Sequence, residues 1–126
     1  MKVYCFGNEF LKSDSLAKEI ADKISMPGIE FIKCDSPEEI FLEEKEITIL
    51  DVVQGIGSVI VIEDINQLKN TDMFSLHDFD LGFFLKLMKS MNQLEKVRII
   101  GIPVKGDKEK IKSKVREILQ EIFSKL

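Results

Sequence analysis

The order in which strand-like and helix-like segments follow one another constrains this chain most. Val3-Tyr4-Cys5-Phe6 is a short apolar run stopped by Gly7-Asn8, which reads as a buried strand and a loop. Ser13-Asp14-Ser15 is a cluster of N-cap residue types. Leu16, Ile20 and Ile24 follow at helical spacing, with Ala17 and Ala21 beside them, so an amphipathic helix of about three turns is expected before Pro27-Gly28. Ile29 to Ile32 is a second strand. Ser36-Pro37-Glu38-Glu39 opens a short helix, with Ser as cap and Pro at the first position. Ile47 to Leu50 is a third strand, closed by Asp51. After the turn Gln54-Gly55-Ile56-Gly57, Ser58 to Ile62 is a fourth strand. The short connection predicts that the third and fourth strands pair as an antiparallel hairpin.

Residues 64–80 are polar and irregular. Leu81, Phe84, Leu85 and Met88 then mark a helix, Val97 to Ile102 a fifth strand closed by Pro103, and Gly106-Asp107 the start of a last helix. The order β-α-β-α-β-β-α-β-α implies an α/β fold. It is a single three-layer αβα domain over residues 1–126, with a largely parallel five-stranded sheet and helices on both faces. Ligands of such folds sit at the carboxyl ends of the strands, where the loop from Gly7 to Asp14 and Asp51 both fall.

A chain of 126 residues can bury a core without disulfides or structural metal. Its 44% hydrophobic and 32% charged residues suit a globular domain, and a net charge of −4 with interleaved acids and bases disfavours nucleic-acid binding. Two cysteines, Cys5 and Cys34, exclude a disulfide scaffold and a four-cysteine zinc site. Neither a membrane-spanning run nor a signal peptide is read, so the expected location is the cytoplasm, with no membrane insertion.

Motifs narrow the chemistry. The G-x-G-x-x-G, Walker and Gly-x-Ser-x-Gly patterns are absent, which disfavours a nucleotide site and a serine hydrolase. Asp14 is either an acid favoured by the helix dipole or a site residue. Asp51 is either a loop carboxylate in an Asx-turn or a ligand projecting from a strand end. His77, the single histidine, lies in Ser75-Leu76-His77-Asp78-Phe79-Asp80 and is either an exposed residue near a helix start or a metal ligand. Together the three would form an O,O,N set suited to a first-row divalent metal, with open coordination positions. Cys5, mid-strand, reads as an inert buried thiol, and Cys34 has Lys33 as its one basic neighbour.

Taken in order, these residues resemble the maturation endopeptidases of nickel–iron hydrogenases, which remove a C-terminal extension from the hydrogenase large subunit. The matching features are the first strand with Gly7-Asn8 and then Asp14, and the apolar strand ending at Asp51 before Gly57-Ser58-Val59-Ile60-Val61. Ser75-Leu76-His77-Asp78-Phe79-Asp80-Leu81 and Ile99-Ile100-Gly101-Ile102-Pro103 complete the series. The stretch after the second strand reads Lys33-Cys34-Asp35 where the family has Asp-Gly-Gly.

The resemblance implies an aspartic-type, nickel-dependent endopeptidase, expected as a monomer, acting on a large-subunit precursor. Asp14, Asp51 and His77 would bind nickel supplied by that precursor, with no organic cofactor. Asp14 and Asp51 would be the catalytic carboxylates, and Asn8 would contact substrate. The altered Lys33-Cys34-Asp35 stretch motivates the alternative of a non-catalytic chaperone or docking protein for the same precursor. A small nucleotide-binding module is a third reading, disfavoured by the missing phosphate loop.

Overall fold

Five apolar segments pair into one sheet. In the computed structural model, which describes residues 1–7, 15–35, 46–53, 56–63 and 96–125, these are β1 (Lys2–Phe6), β2 (Glu30–Cys34), β3 (Glu46–Val53), β4 (Ile60–Ile62) and β5 (Lys96–Pro103). Two helices are described, α1 (Leu16–Lys23) and α2 (Lys108–Ser124). The short helix expected from Ser36 and the one expected around Leu81 to Met88 lie outside the described residues.

The strand order is β2-β1-β3-β5-β4. β1 is parallel to β2 and β3, β3 is parallel to β5, and β4 runs antiparallel to β5. The mostly parallel five-stranded sheet therefore matches the expectation, but the hairpin does not. β4 runs opposite to β3 yet never pairs with it, because β5 lies between them. Eight register pairs between β3 and β5, from Glu46↔Lys96 to Val53↔Pro103, occupy that edge of β3. A short β3–β4 connection sets direction, whereas the longer apolar partner takes the hydrogen-bonding edge.

Alternation along the strands divides the core in two. Val3 and Cys5, Leu50 and Val52, and Ile100 and Ile102 face one side. There they pack with Leu16, Ala17, Ile20 and Ile24 of the α1 region and with Ile111, Val115 and Leu119 of α2. Tyr4, Phe6, Cys34, Ile47, Ile49, Val97 and Ile99 form a second buried cluster on the opposite face. Both described helices thus cover a single face of the sheet.

α1 is shorter than the periodicity predicts. It ends at Lys23, and Ile24 turns extended while staying 4% exposed in the core. The chain then reverses through Met26-Pro27-Gly28-Ile29, where the Ile29 N–H donates to the Met26 carbonyl at 3.1 Å. Gly28 has φ +80°, as the third residue of a type II turn requires. α2 is capped as expected: the Asp107 carboxylate accepts from the Glu109 and Lys110 N–H groups at 2.9 and 3.3 Å. Among the described residues no helix is long and apolar enough to cross a membrane.

Candidate functional site

The carboxyl ends of β1, β2, β3 and β5 meet at one edge of the sheet, and β1 leaves it through Gly7. That residue has φ +137°, a backbone region that L side chains rarely adopt, so glycine suits this exit from the strand. Asn8, Asp14 and His77 lie outside the described residues. Asp51 lies within them.

Asp51 is not the residue that closes β3. The strand continues through Val52 and Val53, which pair with Ile102 and Pro103, so Asp51 is an interior strand residue two positions from the end. A polar residue ending an apolar run looks like a terminator in sequence. Here the backbone ladder with β5 carries on past it. The carboxylate is 2% exposed. It shares its strand face with Ile47 and Ile49, which are on the second core cluster.

Its surroundings are built from small and apolar groups. Gly101 stands opposite it on β5, and Ile60 pairs with Gly101 from β4. Phe6, fully buried, follows Cys5, whose partner on β3 is Leu50, and Cys34 pairs with Phe6 from β2. One row across the sheet thus holds Cys34, Phe6, Asp51, Gly101 and Ile60. The Val52 N–H donates to Asp51 Oδ1 at 2.9 Å, one of the contacts that holds the carboxylate. A buried carboxylate in such a row is costly unless it is hydrogen-bonded or bound to a cation.

Gly101, the register partner of Asp51, stands where β3 and β4 leave little room for a side chain. A Cβ there would come within 2.8 Å of Val53 Cγ2 and 3.1 Å of Ile60 Cγ1. The signal available in sequence was a lone glycine inside a β-strand, which marks close approach of another group.

The cysteines lie on opposite faces, Cys5 under the helices and Cys34 in the second cluster, and neither is in a disulfide. Burial pushes the Cys5 thiol well above its ordinary range, and the neighbouring Cys34, Asp51 and Asp22 push the same way against Lys18. Cys5 is therefore a protonated core residue, as its mid-strand position predicts.

A groove of about 490 Å³ lies at the other end of β2, lined by Ser25, Met26, Pro27, Ile29, Arg116, Gln120 and Phe123. It is remote in the fold from the carboxyl edge that holds Asp51.

Comparisons with known proteins agree with this architecture. A sequence model of the hydrogenase maturation protease family matches residues 38–126, a span that includes Asp51 and His77 and leaves out Asp14. A [NiFe] hydrogenase maturation protease, HybD, from Thermococcus kodakarensis has a similar structure, with a TM-score of 0.71 and 21% identity over 97% of this chain and 99% of that one. The hydrogenase maturating endopeptidase HybD from E. coli superposes with a TM-score of 0.66 and 16% identity, over 96% and 93% of the two chains. The maturation protease HycI from T. kodakarensis KOD1 gives 0.63 and 17%, over 98% and 92%. At these identities the structural likeness establishes the fold. No curated protein sequence matches the chain significantly.

Proposed function

The chain belongs to the hydrogenase maturation protease family, and on that premise we propose that it is the endopeptidase that removes the C-terminal extension of a nickel-loaded large-subunit precursor. The observation that carries the reading is Asp51: a carboxylate 2% exposed, in an otherwise apolar row near the carboxyl edge of the sheet, within the span that matches the family.

In this proposal Asp14, Asp51 and His77 hold the nickel that arrives with the precursor. Oxygen and imidazole donors suit that ion and leave coordination positions open for substrate. The metal supplies Lewis acidity toward the scissile carbonyl or an attacking water. Asp14 or Asp51 takes the water's proton, since a carboxylate with a lone pair not committed to the metal is a competent base. His77 acts as ligand, and Asn8 contacts the substrate chain. A three-ligand open site holds a divalent ion weakly, so the isolated protein would purify largely metal-free and leave unloaded precursor uncut.

The test is processing of a purified precursor with and without inserted nickel, followed by mass spectrometry of the cut chain. Cleavage is expected only of the nickel-loaded form. Asp14→Ala, His77→Ala and Asp51→Asn should each reduce it by about a hundredfold or more, as expected when a group in the reacting shell is lost. Asparagine is chosen at position 51 because that residue is buried in β3, where alanine would also leave a void. Efficient cutting of nickel-free precursor would refute the mechanism, and stable binding without any cutting would favour the docking-protein reading.

A further inference from the structure

The Lys33-Cys34-Asp35 stretch at the end of β2 has a structural role that the proposed reaction does not use. Lys33 and Asp35 flank the end of β2 and are both ion-paired to α1. The Lys33 ammonium lies 3.1 Å from an Asp22 carboxylate oxygen, and the Lys18 ammonium bonds the Asp35 carboxylate. Cys34, between them, turns to the opposite face and joins the second core cluster.

α1 needs such anchors. It has 8 residues, fewer than the roughly 12–15 at which an isolated helix becomes even marginal in water. Its N-cap residue, Ser15, bonds none of the open helix N–H groups, and the hydroxyl donates instead to Glu19 at 3.4 Å. The first turn is therefore placed by packing of Leu16, Ala17 and Ile20 and by charges reaching other elements. A third pair, Glu19 to Lys108 at 3.2 Å, ties α1 to the start of α2, and this contact lowers the Glu19 pKa.

The pairs are unequal. Asp22 and Lys33 are 60% and 40% exposed, and pairs of that kind contribute little. The Lys18 side chain is 3% exposed, whereas its partner Asp35 is 83% exposed. A buried ammonium depends strongly on its counter-charge. Lys18 thus couples the helix start to the strand end more firmly than the other two.

We propose that Lys18 is a positioning residue for the site: its buried ammonium, bonded to Asp35, fixes the first turn of α1 against the carboxyl end of β2 and so sets the backbone at Ser15, the residue covalently next to Asp14. The inference rests on the proposed role of Asp14 as a nickel ligand. A carboxylate must be held to a fraction of an ångström to serve as a ligand, and displacement by about 1 Å costs on the order of a hundredfold in rate.

The experiment compares the wild-type chain with Lys18→Met, Asp35→Asn, the double variant, and Asp22→Asn/Lys33→Gln. Two quantities are read well below each melting temperature: affinity for nickel ion alone by calorimetric titration, and kcat/KM on nickel-loaded precursor. Lys18→Met and Asp35→Asn should each weaken nickel affinity by about ten- to a hundredfold, the range for groups that support a metal ligand. The double variant should be no worse than either single one. Asp22→Asn/Lys33→Gln should change affinity by less than about threefold. A lowered melting temperature with unchanged nickel affinity and cleavage would make the pair merely structural and overturn the proposal. If Lys18→Met fails to fold, Asp35→Asn, altered at an exposed carboxylate, decides the matter by the same readouts. A wild-type chain that neither binds nickel nor cuts would refute the proposed function and this inference with it. Wild-type behaviour retained in both single variants would refute this inference alone.

Discussion

Cys5 and Asp51 are buried on opposite faces of the same sheet, and burial decides the chemistry of the thiol. The Cys5 thiol sits among apolar side chains, and burial, with Cys34, Asp51 and Asp22 acting the same way against Lys18, keeps its proton on. A raised value means that the folded chain retains a proton the unfolded chain loses above pH 9.0. The stabilisation is therefore complete at neutral pH and lost only as the pH climbs from 9.0 toward the folded value. In native protein at pH 8 neither Cys5 nor Cys34 should react with a thiol reagent, while both label fully in denaturant. Changing both to alanine should leave precursor processing within about tenfold of wild type, or about 1.4 kcal/mol of barrier. A loss of a hundredfold with the fold intact would revive a thiol nucleophile. Gly101 shows a different residue-scale constraint. Val53 in β3 has little χ1 freedom with which to avoid a new Cβ 2.8 Å away. Gly101→Ala is expected to destabilise the fold by about 1–3 kcal/mol in urea unfolding, the usual cost of overpacking.

At the scale of elements, the two helices are secured by different means. Asp107 satisfies two N–H groups of α2 through its own side chain, so this helix start is legible in local sequence. Asp107→Ala should cost about 1 kcal/mol and lower the melting temperature by a few degrees in a calorimetric scan. Ser15→Ala should cost less than about 0.5 kcal/mol, because Ser15 makes no capping bond to lose. Equal losses in the two variants would contradict this difference in capping. The end of α1 is also a tertiary matter. Its apolar spacing runs on to Ile24, but the chain must leave the helix there to reach the Pro27-Gly28 turn and enter β2 beside β1.

At the scale of the whole molecule, β1, β3 and β5 each have strand neighbours on both sides, whereas β2 and β4 are the outer strands among the described residues. Amide exchange should accordingly be slowest in β3 and β5 and much faster in the three residues of β4, as read by hydrogen–deuterium mass spectrometry. Exchange in β4 as slow as in β5 would argue against the strand order. What the sequence by itself determined was local: five apolar runs, the α1 stripe, the Asp107 cap and the alternation that sends Val3 and Tyr4 to different faces. Those follow from periodicity and from side chains acting on their own backbone. Tertiary structure alone decided that β5 lies between β3 and β4, since two remote segments compete there for one hydrogen-bonding edge. It alone continued β3 past Asp51, because pairing with Ile102 and Pro103 outweighs the break in the apolar run. It also buried Lys18, a residue set off the apolar stripe of its own helix, against the end of β2, where Asp35 brings a counter-charge from a different element.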